Sequence, residues 1–485
     1  MNSLHYAPLR NWVNDPNGLL FHDGRYHLYF QYNPLGVEHA NLSWGHASSV
    51  DLLEWEDHPV ALEFDDDEEV FSGSVVVDDA DTTGLGAPGK PALVAFYTSM
   101  SKTADLQTQS LAYSVDDGQS WTKFQDNPLI DRGSPHFRDP KVIRYHGVDE
   151  SYWVMLAVEA VERRVVFYRS DDLLSWELLS EFGPAGAVGG DWECPDLFAL
   201  RVENTGVLRW VLLVSLNPGG IAGGSGTQYF VGDFDGRTFT PVTPVAPITA
   251  TDDVAMRSLR WLDYGRDCYA GVSFAGLSDD HRTLIAWMSN WDYAREMPVD
   301  ADAPQRGAMT LPRRLSLIEI DGVERLRQIP VVPAVTAVSR VADEVIPPGG
   351  SVTVPIRAAG RIRLAVDVDD AAGFEVSFVG DDEQTVTLTY DTSSAELIVD
   401  RVGVAQGLPK GFADVHRMPV ASTPVVSLTI WIDELAIEIY ADDGTRVLTD
   451  LLGTLSATSV RIAGRGAPIR IETLDTSAAV AATCS

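Results

Sequence analysis

The sequence predicts an all-β chain, a five-bladed β-propeller followed by a C-terminal β-sandwich, on three observations. Short aromatic and β-branched runs bounded by turn residues dominate it, as at 26–30, 93–97, 165–168 and 210–214, and no long amphipathic helix pattern appears. A polar turn followed by an aromatic recurs, ending at Trp55, Trp121, Trp176 and Phe239, with intervals of 66, 55 and 63 residues. Each interval holds four strands with their loops, the size of a propeller blade, and about 320 residues at roughly 60 per blade gives about five. Beyond residue 350 the pattern changes to plain alternation, which marks sheets with one buried face.

The elements follow in order. Residues 1–330 form the propeller. Residues 331–350, where Pro330, Pro333 and Pro347-Pro-Gly-Gly350 cluster, read as a linker. Residues 351–485 form the sandwich, through Val352, Val354 and Ile356; Ile362, Leu364, Val366 and Val368; Val386, Leu388 and Tyr390; Leu428, Ile430 and Ile432; and Leu435, Ile437 and Ile439.

Composition excludes several classes. With 36 basic and 70 acidic residues the formal net charge is −34, which repels the phosphate backbone and anionic membranes, so no nucleic acid and no membrane is expected as a partner. Cys194, Cys268 and Cys484 cannot form an even disulfide framework and lack zinc spacing. The ten histidines show no metal spacing either, and the acidic run 65–69 lacks a spaced ligand loop, so neither metal nor cofactor is expected. No apolar run approaches the roughly 20 residues of a membrane span, and the first 25 residues lack the pattern of a secretory leader. As written the chain is cytoplasmic; as a processed form it would be secreted. Monomer and homodimer are equally compatible with the sequence.

Three motifs place a carboxylate beside an aromatic and a proline: Trp12-Val-Asn-Asp15-Pro-Asn-Gly18, Phe137-Arg-Asp139-Pro-Lys141 and Trp192-Glu193-Cys-Pro-Asp-Leu-Phe198. Together with Ser72 and Asp267 they fall at intervals of 57, 67, 54 and 74 residues, the blade period in a second phase. If each blade begins with its innermost strand, these residues converge at one mouth of the central funnel. Crowded carboxylates drive their pKa values apart, separating an acid from a nucleophile. Glu193, between Trp192 and Cys194, is expected in a low-dielectric seat suited to a general acid. Separations of about 5 Å would make a retaining glycosidase and about 6.5–9.5 Å an inverting one, and spacing along the chain does not choose.

These motifs, with Gln31-Tyr-Asn-Pro34 and Phe71-Ser-Gly-Ser74, resemble the ordered signatures of glycoside hydrolase family 32, the β-fructofuranosidases. Asn217-Pro-Gly-Gly220, Gly226-Thr-Gln-Tyr and Trp287-Met-Ser-Asn-Trp-Asp-Tyr-Ala294 are similar to its exo-inulinase and levanase members. The resemblance implies a propeller with a sandwich, and a retaining exo-glycosidase releasing terminal β-D-fructofuranosyl units from inulin, levan and sucrose. It implies Asp15 as nucleophile, Glu193 as acid and base, and Asp139 as stabiliser of the transition state. Asn14, Gln31, His39, Trp44, Phe71, Ser72, Arg138 and Trp291 would form the sugar pocket. Two positions depart from the family pattern, His39 and Gln305, each standing where tryptophan is usual. A fructosyltransferase would use the same carboxylates, and a carbohydrate-binding propeller would bind without releasing product.

Overall fold

A computed structural model describes residues 4–249, 253–380 and 384–480. Cys484 lies outside the described residues. Five antiparallel sheets follow one another from the N-terminus and account for the propeller. Their inner strands are Asn11–His22, Glu68–Asp78, Phe137–His146, Asp191–Arg201 and Tyr269–Ser273. These inner strands touch one another in a closed ring, the fifth meeting the first. The two-residue strand Gln305–Arg306 pairs in parallel with Asn11 and Trp12, so a segment from the fifth blade closes onto the first.

The turn repeat joins the third and fourth strands of the first four blades. Ser49 Oγ accepts from the backbone N–H groups of Asp51 and Leu52, and Asp51 Oδ1 from those of Leu53 and Glu54. Ser170 and Asp172 repeat this pattern in the third blade. Short polar side chains therefore satisfy turn amides that the strand ladder leaves free, which is why Ser and Asp recur there. The ring is also fastened across blades. Ser74 Oγ donates to the Pro140 carbonyl, and buried Lys141 reaches the Ser273 carbonyl at 2.6 Å and Asp196 at 3.2 Å, joining the third, fourth and fifth inner strands.

Two six-stranded sheets form the sandwich. The alternating residues bury as expected: Ile362, Leu364, Val366, Leu428 and Ile430 from one sheet meet Phe374, Val376, Val386, Leu388 and Ile462 from the other. Leu435 is 36% exposed because it sits in the turn before Ala436–Ala441. The stretch expected as a linker carries the strand Val335–Ile346, which pairs along its length with Ile469–Ala479. Ten of its twelve residues find ladder partners, and the proline–glycine cluster instead forms the following turn, with Gly350 N–H donating to the Pro347 carbonyl. Among the described residues, no helix is long and apolar enough to cross a membrane.

Charge as well as apolar surface joins propeller to sandwich. Fully buried Arg313 bonds Asp263 at 2.9 Å and Glu438 at 3.0 Å, and His5 lies between Asp433 at 2.7 Å and Glu438 at 3.2 Å. Burial alone would lower the His5 pKa, but the two carboxylates raise it to about 10. With the folded value above the unfolded 6.5, this contact stabilises fully below pH 6.5 and its contribution fades as pH rises towards 10. His5→Gln is therefore expected to cost about 3 kcal/mol in urea unfolding at pH 6. The gap to the parent protein should close above pH 10; a pH-independent gap would refute the assignment.

Candidate active site

Each inner strand is interrupted at the same level. The pairing register shifts between Val13 and Pro16, between Val70 and Gly73, and between Glu193 and Asp196. It shifts again opposite 138–141, between Leu156 and Val158, and between Tyr269 and Val272. A bulge re-aims side chains and leaves residues outside the ladder. The residues freed are Asn14 and Asp15, Phe71 and Ser72, Asp139 and Pro140, and Cys194 and Pro195. Proline follows Asp15, Asp139 and Cys194 because the missing donor costs nothing at a bulge. Asp139 at φ 65° and Cys194 at φ 45° occupy left-handed backbone, and Thr98 Oγ1 accepts the Asp139 N–H at 2.9 Å. Gly73 is required by crowding, since a Cβ there would lie 1.9 Å from the Phe96 carbonyl oxygen.

The bulges bring the three acids together. Asp15 Oδ2 and Asp139 Oδ2 lie 3.6 and 3.7 Å from the Cys194 sulfur. Cys194 N–H donates to Asp139 Oδ2 at 2.9 Å, and Ser72 Oγ donates to Asp15 Oδ2 at 2.9 Å. The Arg138 guanidinium grips Glu193 Oε1 through Nη2 at 2.9 Å and Nε at 3.2 Å, and stands 4.0 Å from Asp139. Tyr269 donates its hydroxyl to Glu193 Oε2.

Burial and the nearby Glu193 charge raise the Asp15 pKa to about 6, against the opposing hydrogen bonds of Ser72, Asn14 and Cys194. Asp139 moves the same way, chiefly by burial, with Arg138 opposing and Glu193 adding to the rise. Asp15 Oδ1 is buried without a hydrogen-bond partner, which leaves one oxygen of this carboxylate uncommitted. The drier seat belongs to Asp139, whose side chain is 7% exposed, whereas the Glu193 side chain is 23% exposed. The burial expected for Glu193 is thus found at its neighbour, because the bulge turns Glu193 towards Arg138 and the opening.

Aromatic residues build one wall. Trp291 stacks on Trp12 at 6.0 Å and 25° and packs against Trp287 at 4.7 Å. His39 meets Trp12 and Trp291 edge-on at 5.4 and 5.0 Å. Burial and the Arg295 charge lower the His39 pKa to about 4, so it stays neutral around neutral pH. Gln305 turns back on the Gly307 carbonyl. Asn14 accepts from Trp12 Nε1 at 2.6 Å, and Gln31 donates to the Val70 carbonyl at 3.1 Å. Trp44 is fully buried, its Nε1 donating to the Phe71 carbonyl at 2.9 Å, so it supports the Phe71–Ser72 bulge and offers no open face.

Two placements differ from expectation or were missed. Asp267, the fifth member of the phase, faces the sandwich, where it bonds Arg401 and Tyr293. Tyr269, two residues on, supplies the fifth blade's contact to Glu193; its signal was the same phase, read two residues too early. Cys194 places its thiol on Asp15 and Asp139. Among the described residues, no group of three His, Cys, Asp or Glu side chains is arranged to hold a metal ion.

Comparison with known proteins adds independent findings. The family model for the glycosyl hydrolases family 32 N-terminal domain matches residues 5–330, and that for the glycosyl hydrolases family 32 C terminal matches residues 343–459. An extracellular exo-inulinase of Aspergillus awamori is 39% identical, covering 95% of this chain and 91% of its own. Its crystal structure superposes with a TM-score of 0.91 at 35% identity, over 99% of this chain and 98% of that one. A levanase of Bacillus subtilis is 38% identical over 92% of this chain and 65% of its own. A fructofuranosidase from Schwanniomyces occidentalis complexed with fructose gives a TM-score of 0.85 at 29% identity, covering 98% of this chain and 97% of that one.

Proposed function

The chain belongs to glycoside hydrolase family 32, and from that premise we propose that it hydrolyses terminal β-D-fructofuranosyl residues of fructans and of sucrose with retention of configuration. Asp15 attacks the anomeric carbon C2 while Glu193 protonates the departing oxygen; Glu193 then takes a proton from water, which cleaves the ester to Asp15. Asp139, Arg138 and Asn14 hold sugar hydroxyls, and the negative Asp139 strengthens its hold as positive charge grows on the ring. Gln31, Ser72, His39, Phe71 and Trp291 shape the pocket, and Trp44 backs it. Catalysis belongs to the propeller.

The observation that carries this reading is the cluster itself: Asp15 and Asp139 share the Cys194 sulfur, and Asp139 and Glu193 share Arg138. Three acids held this closely suit stepwise substitution at an oxocarbenium-like centre. Chromatography of early products from sucrose, inulin and levan tests it. Free fructose is expected from the chain ends as the first product, with no internal oligosaccharides. Chain-extended oligosaccharides from concentrated sucrose would favour fructosyl transfer, and binding without any product would reduce the chain to a carbohydrate-binding propeller.

A further inference from the structure

The wall carrying Trp291 is held from both domains. Trp291 lies in the loop after the strand Thr283–Trp287, and its N–H donates to Ser225 Oγ at 3.0 Å. Before it, fully buried Asn290 donates to the Arg266 and Gly223 carbonyls at 2.8 and 3.2 Å. The glycine-rich run 218–226 thus braces this wall. After it, the Tyr293 hydroxyl donates to Asp267 at 2.5 Å and accepts from Arg401 of the sandwich at 3.2 Å. Arg401 also binds Asp267 at 2.7 Å and lies 4.2 Å over the Phe412 ring, which packs on Tyr293.

A second tie runs through Arg266. Its side chain is only 3% exposed, yet it bonds Asp292 of the Trp291 loop at 2.6 Å and Asp414 of the sandwich at 2.7 Å. A buried guanidinium is held in place by having its charge met on both sides, so Asp292 and Asp414 are located by the same group. The two residues after Trp291 are therefore fixed by the sandwich, directly through Arg401 and indirectly through Asp414.

We propose that Arg401 and Asp414 are positioning residues: the β-sandwich sets the place of the Trp291 wall and thereby the fit of the terminal sugar. This rests on the proposed role of Trp291 in the sugar pocket. The reacting carboxylates stand on the inner-strand bulges and touch neither residue, so loosening the wall weakens binding more than chemistry.

Arg401→Lys and Asp414→Asn test this, with Ile462→Val as a control that loosens the sandwich core away from the loop. Both test variants are expected to raise KM for sucrose, Arg401→Lys by about tenfold, with kcat within about twofold of the parent. Amide hydrogen exchange over 288–294 should accelerate in both, and Asp414→Glu should restore KM. The control should melt earlier with KM unchanged. If Arg401→Lys does not fold, Asp414→Asn decides, since that carboxylate is 44% exposed and its loss is tolerable. Unchanged KM and unchanged exchange in Asp414→Asn would overturn the proposal. A parent protein that releases no fructose would defeat the proposed function instead, and the exchange measurement would still report on the coupling between the domains.

Discussion

Asp15→Asn is expected to lower fructose release by roughly 10⁴-fold or more in kcat/KM and, at neutral pH, to make the protein more stable. The first effect follows from the loss of the proposed nucleophile. The second follows from its surroundings: burial and the Glu193 charge raise the Asp15 pKa to about 6, from an ordinary 3.8. Because the folded value lies above the unfolded one, the folded state holds this proton more tightly. The ionised carboxylate therefore costs nothing below pH 3.8, an increasing amount between 3.8 and 6, and its full cost above pH 6, about 3 kcal/mol. Asparagine keeps an oxygen for the Ser72 hydroxyl and carries no charge. Urea unfolding should show the variant more stable by about 1–3 kcal/mol at pH 7 and equal to the parent at pH 4. The same ionisation should place the acid limb of the parent's kcat/KM near pH 6, since the nucleophile must be charged to attack. A variant that is inactive but no more stable at pH 7 would contradict the burial argument, and an active one would remove Asp15 from the mechanism.

Why some of this could be read from sequence and some could not is a matter of what carries the signal. The blade period was legible because the same physical problem, an uncapped turn between the third and fourth strands, is solved repeatedly by Ser and Asp, as at Ser49–Asp51 and Ser170–Asp172. The acids were legible because proline inside a strand marks a bulge, and Asp15-Pro16, Asp139-Pro140 and Cys194-Pro195 all stand at one. Residue-level phase was less secure, since the fifth inner strand begins only at Tyr269, which reaches Glu193, whereas Asp267 stands before it and turns to the sandwich. Burial of a given side chain was legible along the alternating sandwich strands but not at the bulges. Trp44 looks sugar-facing by motif but spends its indole N–H on a carbonyl, and the dry position expected at Glu193 falls to Asp139. Nor does local pattern reveal pairing: Val335–Ile346 lies among prolines yet finds a full-length partner more than a hundred residues away. Contacts such as Arg266 with Asp292 and Asp414 leave no periodic trace, so the tie between domains could be seen only in three dimensions.

Glu193→Gln should lower sucrose hydrolysis by about 10²–10⁴-fold, but its loss should depend on the leaving group in a way that no structural lesion would. Glutamine can keep an oxygen towards Arg138 and present its amide to the Tyr269 hydroxyl, and Arg138 retains Asp139 at 4.0 Å and Asp191 at 3.8 Å. The pocket should therefore survive, with only proton transfer removed. Glucose leaves the fructosyl unit of sucrose as an alkoxide that must be protonated, whereas fluoride leaves β-fructofuranosyl fluoride without help. On that substrate the first step should recover, and the fructosyl ester on Asp15 should then accumulate, because no base remains to activate water. Rapid quench should show a burst of fluoride equal to the enzyme present, followed by slow turnover. Azide attacks without needing a base, so it should restore turnover and give the fructosyl azide with retained configuration. Asp15→Asn should respond to neither fluoride nor azide in this way, which separates the two roles within one experiment. Equal slowing of Glu193→Gln on sucrose and on the fluoride, with no burst and no response to azide, would mean that Glu193 positions the sugar and that the proton comes from elsewhere.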